Sequence, residues 1–322
     1  MKLRFYSLMI FIALDAMILV NCGERMIPTV TTSRVSSITE FSAQGGGSIA
    51  SDGGATITAL GVCWSNNQSP TLADNYTNDG TGKGNYTSSI TELIPNTTYY
   101  VRAYATNSIG TGYGEAQSFR TIALTDTVID IDGNIYQTIK IGDQWWMVEN
   151  LRVTHYRNGD PIPNIINDEA WANLTTGAYC NPNNNETLVG IYGRIYNWYA
   201  INDDRIIAPK GWHVATHTEW NTLIDYLGGA SVAAGKIKEA GLAHWERSDT
   251  SVTNESGFTA LPSGHRYEWG FHSGPGGQAA FWTSTEIDDN SAWNRSLHKT
   301  ESSVSSLGGI KQSGASIRCV KD

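Results

Sequence analysis

Ten of the eleven tryptophans in this chain lie from Trp145 onward, separated by short stretches rich in glycine, serine, threonine and asparagine. Each large ring needs about 150–250 Å² of cover. Few long apolar runs are present to supply it, so the rings must be gathered by short strands and long loops around a shared core. Only 16% of residues are charged, a composition that suits loop-rich and β-rich folds and argues against helical bundles. The 322 residues leave room for two domains, each with its own core.

The N-terminal region, residues 28–121, reads as an all-β sandwich. Tyr99, Val101, Ala103 and Ala105 alternate with Tyr100, Arg102 and Tyr104, so the two sets face opposite sides of one strand. Gly45-Gly46-Gly47, Asp52-Gly53-Gly54 and Asp79-Gly80 mark turns. In the second half, Thr216 and Glu219 have capping-box spacing and open a helix carrying Trp220, Leu223, Ile224 and Leu227, which Gly228-Gly229 stops. A strand over 211–214 precedes it. A second helix is expected at 232–240, and strands at 280–284, 291–298 and 315–320.

Five motifs follow one another here: DIDGNIYQTIKIGDQWWMVENLR (130–152), YGRIYNWYA (192–200), PKGWHVATHTEW (209–220), FWTSTE (281–286) and SIRCVKD (316–322). In this order they resemble the Fibrobacter succinogenes major paralogous domain, a family of bacterial surface and secreted modules, over residues 128–322. The resemblance implies an α+β, loop-rich domain that is C-type-lectin-like and sulfatase-modifying-factor-like, related to the formylglycine-generating enzymes. In the first half, Leu93-Ile94-Pro95-Asn96-Thr97-Thr98-Tyr99, Gly61-Val62-Cys63-Trp64-Ser65 and Asn107-Ser108-Ile109-Gly110 resemble bacterial fibronectin type III domains. That likeness gives Tyr99 a tyrosine-corner role and makes the domain a spacer or docking surface. Residues 122–127 are expected to form the linker.

Lys2 and Arg4 precede a mostly apolar run at 5–20, which ends at Leu19-Val20-Asn21-Cys22. The run is too short for a membrane span and reads as a signal peptide over 1–21. Its end resembles a bacterial lipobox, with Cys22 as the lipidated residue and 22–27 as a tether. The acidic Glu24 resembles the surface-export signals of Bacteroidetes-type lipoproteins. The expected location is therefore the cell envelope, lipid-anchored, at the outer membrane. Disulfides are permitted there. Cys180 and Cys319 sit in motif contexts of one domain, and a disulfide between them is expected, two buried thiols being the alternative. Cys63 reads as a buried core thiol.

No Lys/Arg cluster is present and the formal charge is −9, so nucleic acid is not an expected partner. The oxidase alternative that accompanies the formylglycine-generating resemblance requires a pair of nearby cysteines, yet Cys319 has none close in sequence. His213 and His217 straddle a helix start, no HExxH occurs, and His265 and His272 lack a third ligand, so neither metal nor other cofactor is expected. Trp293-Asn294 resembles the calcium-binding Trp-Asn-Asp of C-type lectins, but Arg295 stands where calcium needs an acid. Trp145, Trp146, Trp198, Trp212, Trp220 and Trp282 are expected in the core. The remaining candidate is the glycine-rich stretch 263–277. There His265, Arg266, Tyr267, Trp269 and His272 combine aromatic faces with polar groups, as ligand recognition on a loop requires. The expected function is non-catalytic surface binding or adhesion toward a glycan or protein ligand. A purely structural envelope role is a further alternative.

Overall fold

The computed structural model describes residues 24–247 and 251–322, so the signal-peptide and Cys22 lipidation readings fall outside the described residues. Contacts divide the described chain into two units. One comprises residues 24–37, Ala43–Ile90 and Tyr99–Phe119, and the other Ile38–Ser42, Thr91–Thr98 and Arg120–Asp322.

The first unit is all β. Strands β1 (Thr29–Thr32), β2 (Ala43–Ser51) and β5 (Gly84–Ile90) form one sheet in the order β1-β2-β5. The other sheet runs β4-β3-β6-β7, with β3 at Ala59–Ser65, β4 at Asn75–Tyr76, β6 at Thr98–Thr106 and β7 at Thr111–Tyr113, and β8 (Gln117–Arg120) also pairs with β6. Tyr99, Val101, Ala103 and Ala105 are buried along β6, as their alternation predicts. Tyr104, assigned to the other face, is buried too, because its hydroxyl donates to the Thr77 carbonyl at 2.6 Å and its ring meets the edge of Tyr76. Cys63 is a buried free thiol.

The second unit holds three sheets. The largest runs β14-β19-β11-β10-β9, from β9 (Thr125–Ile129), β10 (Ile135–Ile141), β11 (Gln144–Met147), β14 (Trp212–Val214) and β19 (Cys319–Lys321). The expected linker at 122–127 is thus corrected: from Thr125 the chain is already strand, paired with β10. Only Val128 is buried in β9, so the strand is made by ladder pairing and leaves no apolar pattern to read. A second sheet runs β12-β13-β18, from β12 (Tyr179–Cys180), β13 (Ile195–Asn197) and β18 (Gly314–Ala315). The third runs β15-β16-β17, from β15 (Gln278–Glu286), β16 (Ser291–His298) and β17 (Ser305–Ile310). The single strand expected over 315–320 is instead split between β18 and β19, in different sheets.

Five α-helices accompany these sheets among the described residues: α1 (Asp168–Ala172), α2 (Val189–Tyr192), α3 (Trp198–Ile201), α4 (His217–Tyr226) and α5 (Ala230–Ile237). The capping box of α4 forms as read. The Glu219 amide donates to Thr216 Oγ1 at 3.1 Å, and the Thr216 amide to Glu219 Oε2 at 2.8 Å. The other carboxylate oxygen of Glu219 meets His213 Nε2 at 2.7 Å, while His213 Nδ1 meets Asp322 at 2.8 Å. Hydrogen bonding to Glu219 raises the His213 pKa to about 9.

Five of the six expected core tryptophans are buried, and Trp145 is half-buried. Trp146, Trp220, Phe258 and Phe281 pack ring against ring at centroid distances of 5.1–6.1 Å. The guanidinium of Arg318, wholly inside, lies 4.5 Å from the Phe258 ring. It donates to Asn150 Oδ1 at 2.7 Å and to the carbonyls of Met147, Phe258 and Thr259 at 2.8–2.9 Å. The SIRCV arginine therefore ties β11 to the loop at 258–259.

The expected Cys180–Cys319 disulfide does not form, and both thiols are free and buried. Their strands belong to different sheets, and they sit in separate apolar clusters.

Candidate functional site

Residues 263–277 are an ordered hairpin. The Tyr267 amide donates to Phe271 O at 2.8 Å, Gly270 N to Tyr267 O at 2.9 Å, and Ser273 N to His265 O at 2.9 Å. Gly270 takes φ +98°, and a Cβ there would lie 2.5 Å from Asp168 Cα, so the turn closes only on glycine.

Strand alternation sorts the five candidate side chains. His265, Tyr267 and Trp269 share one face. The His265 ring meets Tyr267 edge-on at 4.3 Å, and Trp269 stacks on Tyr267 at 4.7 Å with a 5° interplanar angle. Phe271 extends the stack 6.4 Å from Tyr267. Trp269 and Phe271 are 57% and 62% exposed.

Arg266 points the opposite way and is 0% exposed. Its guanidinium donates to the carbonyls of Gly270 (2.7 Å), Ile165 (2.6 Å) and Ile166 (3.2 Å) and to Asp168 Oδ1 (2.7 Å). The expectation of Arg266 as a ligand contact is corrected: it is a structural pin that anchors the hairpin to α1. His272 turns away from the stack as well. Burial and the nearby Arg266 push its pKa down to about 4, which keeps the ring neutral, and its Nε2 is buried without a hydrogen-bond partner.

A cleft of about 260 Å³ opens where the hairpin meets the outer face of the β15-β16-β17 sheet. His265, Tyr267 and Glu268 form its hairpin wall, whereas Trp269, Arg266 and His272 do not line it. Gln278, Ala280 and Trp282 of β15 form the floor together with Asn294 and Ser296 of β16. Trp282 lies directly opposite Asn294 in the ladder, and Asn294 opposite Leu307. Gly309 makes room for them, since a Cβ there would sit 2.6 Å from the Trp282 ring and 2.7 Å from the Asn294 amide nitrogen.

Asn294, which the sequence presents only as part of a calcium-like Trp-Asn pair, lies in the cleft floor. Its Oδ1 is buried and finds no hydrogen-bond partner among the described residues. Arg295, the next residue, faces the other way and donates to Asn221 Oδ1 at 2.6 Å and to His217 O at 3.2 Å. Among the described residues, no group of three His, Cys, Asp or Glu is placed to hold a metal ion.

The two motif cysteines lie away from this cleft. Burial raises the Cys180 pKa to about 12 and pushes that of Cys319 well above the ordinary thiol range. Both are protonated at neutral pH, the opposite of the exposed, electropositive setting of a reactive thiolate.

The second unit is a tryptophan-packed, mixed α and β domain with a cleft of about 260 Å³ beside an aromatic hairpin. Residues 139–321 match the family model of the Fibrobacter succinogenes major domain. The chain belongs to that family. No curated protein matches it. Two solved structures, both of the sensor domain of the anti-sigma factor RsgI4 of Pseudobacteroides cellulosolvens, are similar over 30% of this chain. One has 17% identity and a TM-score of 0.24 over 96% of its own length. The other has 19% identity and a TM-score of 0.23 over 76% of its length.

Proposed function

We propose that this chain is a lipid-anchored envelope protein whose C-terminal domain binds an external glycan or protein ligand without catalysis. The observation that carries the reading is the cleft under the 265–273 hairpin, with exposed Trp269 and Phe271 continuing its aromatic wall outward. Surface aromatics held on a rigid hairpin offer contact area at small entropic cost. A C-type-lectin-like scaffold fits this arrangement. A fibronectin type III-like spacer fits the β1-β2-β5 and β4-β3-β6-β7 strand orders of the first unit. The formylglycine-generating oxidase alternative draws no support from Cys180 and Cys319, which are buried and protonated in separate clusters.

Binding of the purified protein to bacterial and host cell surfaces tests the recognition half of the proposal. Trp269→Ala and Tyr267→Ala are each expected to abolish the signal. Binding indifferent to both changes removes the hairpin from consideration. Cell fractionation tests the anchor: Cys22→Ser is expected to move the protein from the membrane to the soluble fraction, and a variant that stays membrane-bound refutes lipidation at Cys22. Among the described residues, no helix is long and apolar enough to cross a membrane.

A further inference from the structure

The geometry points to a single uncharged sugar ring, the terminal residue of a neutral glycan, as the occupant of the cleft between the 265–273 hairpin and the β15-β16-β17 sheet; the inference rests on the surface-recognition reading above. Size is the first argument. About 260 Å³ falls just below the roughly 300–1,000 Å³ of sites that take drug-sized ligands, so the cleft accepts one ring-sized group rather than an extended chain.

Polarity is the second. Asn294 lines the floor, with its Oδ1 itself closed to solvent and without a partner. Glu268 uses one oxygen on Ser313 Oγ, a long contact of 3.3 Å. Gln278 donates its amide N–H to Ser296 Oγ at 2.7 Å, leaving its carbonyl as an acceptor. The floor and wall thus present acceptors that adjacent hydroxyl groups satisfy. Ala280, Leu307 and Tyr267 offer apolar surface to the C–H face of the same ring. No lysine or arginine lines the cleft, so Glu268 repels a carboxylate or phosphate with nothing to offset it.

Position is the third. The floor is the face of β15 and β16, and β16 is already paired on both sides, while the edge strand β17 lines one side with Leu307 and Gly309. Beyond the mouth, Trp269 lies flat on Tyr267 and remains exposed, ready to stack a second sugar of the same glycan.

Fluorescence titration of the full chain with the methyl glycosides of glucose, galactose, mannose, xylose and N-acetylglucosamine, and with glucuronate and galacturonate, tests this. At least one neutral glycoside is expected to bind and both uronates to fail. Asn294→Ala and Glu268→Gln should each weaken binding about tenfold or more. Trp269→Ala, at an exposed position, should weaken binding of the matching disaccharide more than of the methyl glycoside. Circular dichroism melts of each variant separate loss of binding from loss of fold. Binding by no neutral sugar, equal binding of uronates, or neutral-sugar affinity unchanged in folded Asn294→Ala and Glu268→Gln variants overturns the inference. Cell-surface binding that requires Trp269 but that no neutral sugar inhibits also overturns it, while leaving the recognition reading intact. Sugar binding that depends on Asn294, in a protein that binds no cell surface, supports the inference and sinks that reading.

Discussion

The guanidinium of Arg266 lies 4.4 Å from the centre of the Trp171 ring, beneath the hairpin that carries the exposed aromatics. The arginine is enclosed by three carbonyls and Asp168, so its removal strands several buried acceptors at once. Arg266→Leu is expected to destabilise the domain by about 3 kcal/mol or more. Arg266→Lys should recover little, because an ammonium cannot reproduce the planar fork. Urea denaturation of both variants measures this, and near-wild-type midpoints would show that the pin is dispensable. Trp269→Ala, at the exposed end of the same hairpin, should shift stability by no more than about 0.5 kcal/mol.

Gly270 is expected to tolerate no side chain. Its positive φ and its approach to Asp168 both penalise a Cβ, and Gly270→Ala should cost on the order of 1–3 kcal/mol. Gly277→Ala, where a Cβ meets nothing within 4 Å, is the control. Equal melting temperatures for the two variants would contradict the tight turn.

His213 ties the start of α4 to the last residue through Glu219 and Asp322. Its pKa is raised from 6.5 to about 9, so the stabilisation is fully present below pH 6.5 and is lost as pH rises through about 9. Glu219, whose pKa is lowered by His213 and Thr216 against the opposing effect of burial, contributes above its ordinary value of 4.5 and loses that contribution in acid. Urea midpoints for the wild type and His213→Gln should therefore differ most near pH 6 and converge by pH 10. A gap of constant size across that range would mean the imidazole charge contributes nothing.

Cys180 and Cys319 are expected to react quantitatively with iodoacetamide after unfolding without reductant, and slowly in the native state, because burial holds both protonated. A cross-linked Cys180–Cys319 peptide in a non-reducing digest would contradict the free-thiol arrangement.

Trp282→Ala and Trp220→Ala each remove a fully buried ring and should cost about 3–5 kcal/mol. Trp282→Ala should also collapse the cleft floor. If it left glycoside affinity unchanged in folded protein, the floor would play no part in binding.

The chain's periodicities and short-range signals were enough to fix the all-β character of the first half, the α4 helix with its capping box, the 291–298 strand and the five buried motif tryptophans. These depend on neighbours three or four residues away, or on alternation along one strand. The β9 strand, the division of 315–320 between two sheets and the unpaired state of Cys180 and Cys319 were not legible, because each depends on pairing with distant segments. The same division runs through the candidate site. Aromatic content marked the 263–277 stretch, yet only the hairpin's alternation turned Arg266 inward onto carbonyls a hundred residues away and left Tyr267 facing a cleft. Asn294 entered that cleft through the register of β15 against β16. Composition marked this part of the chain as the candidate; tertiary packing decided which of its side chains are engaged and which are left open, because a polar group is free or engaged only according to what the fold brings beside it.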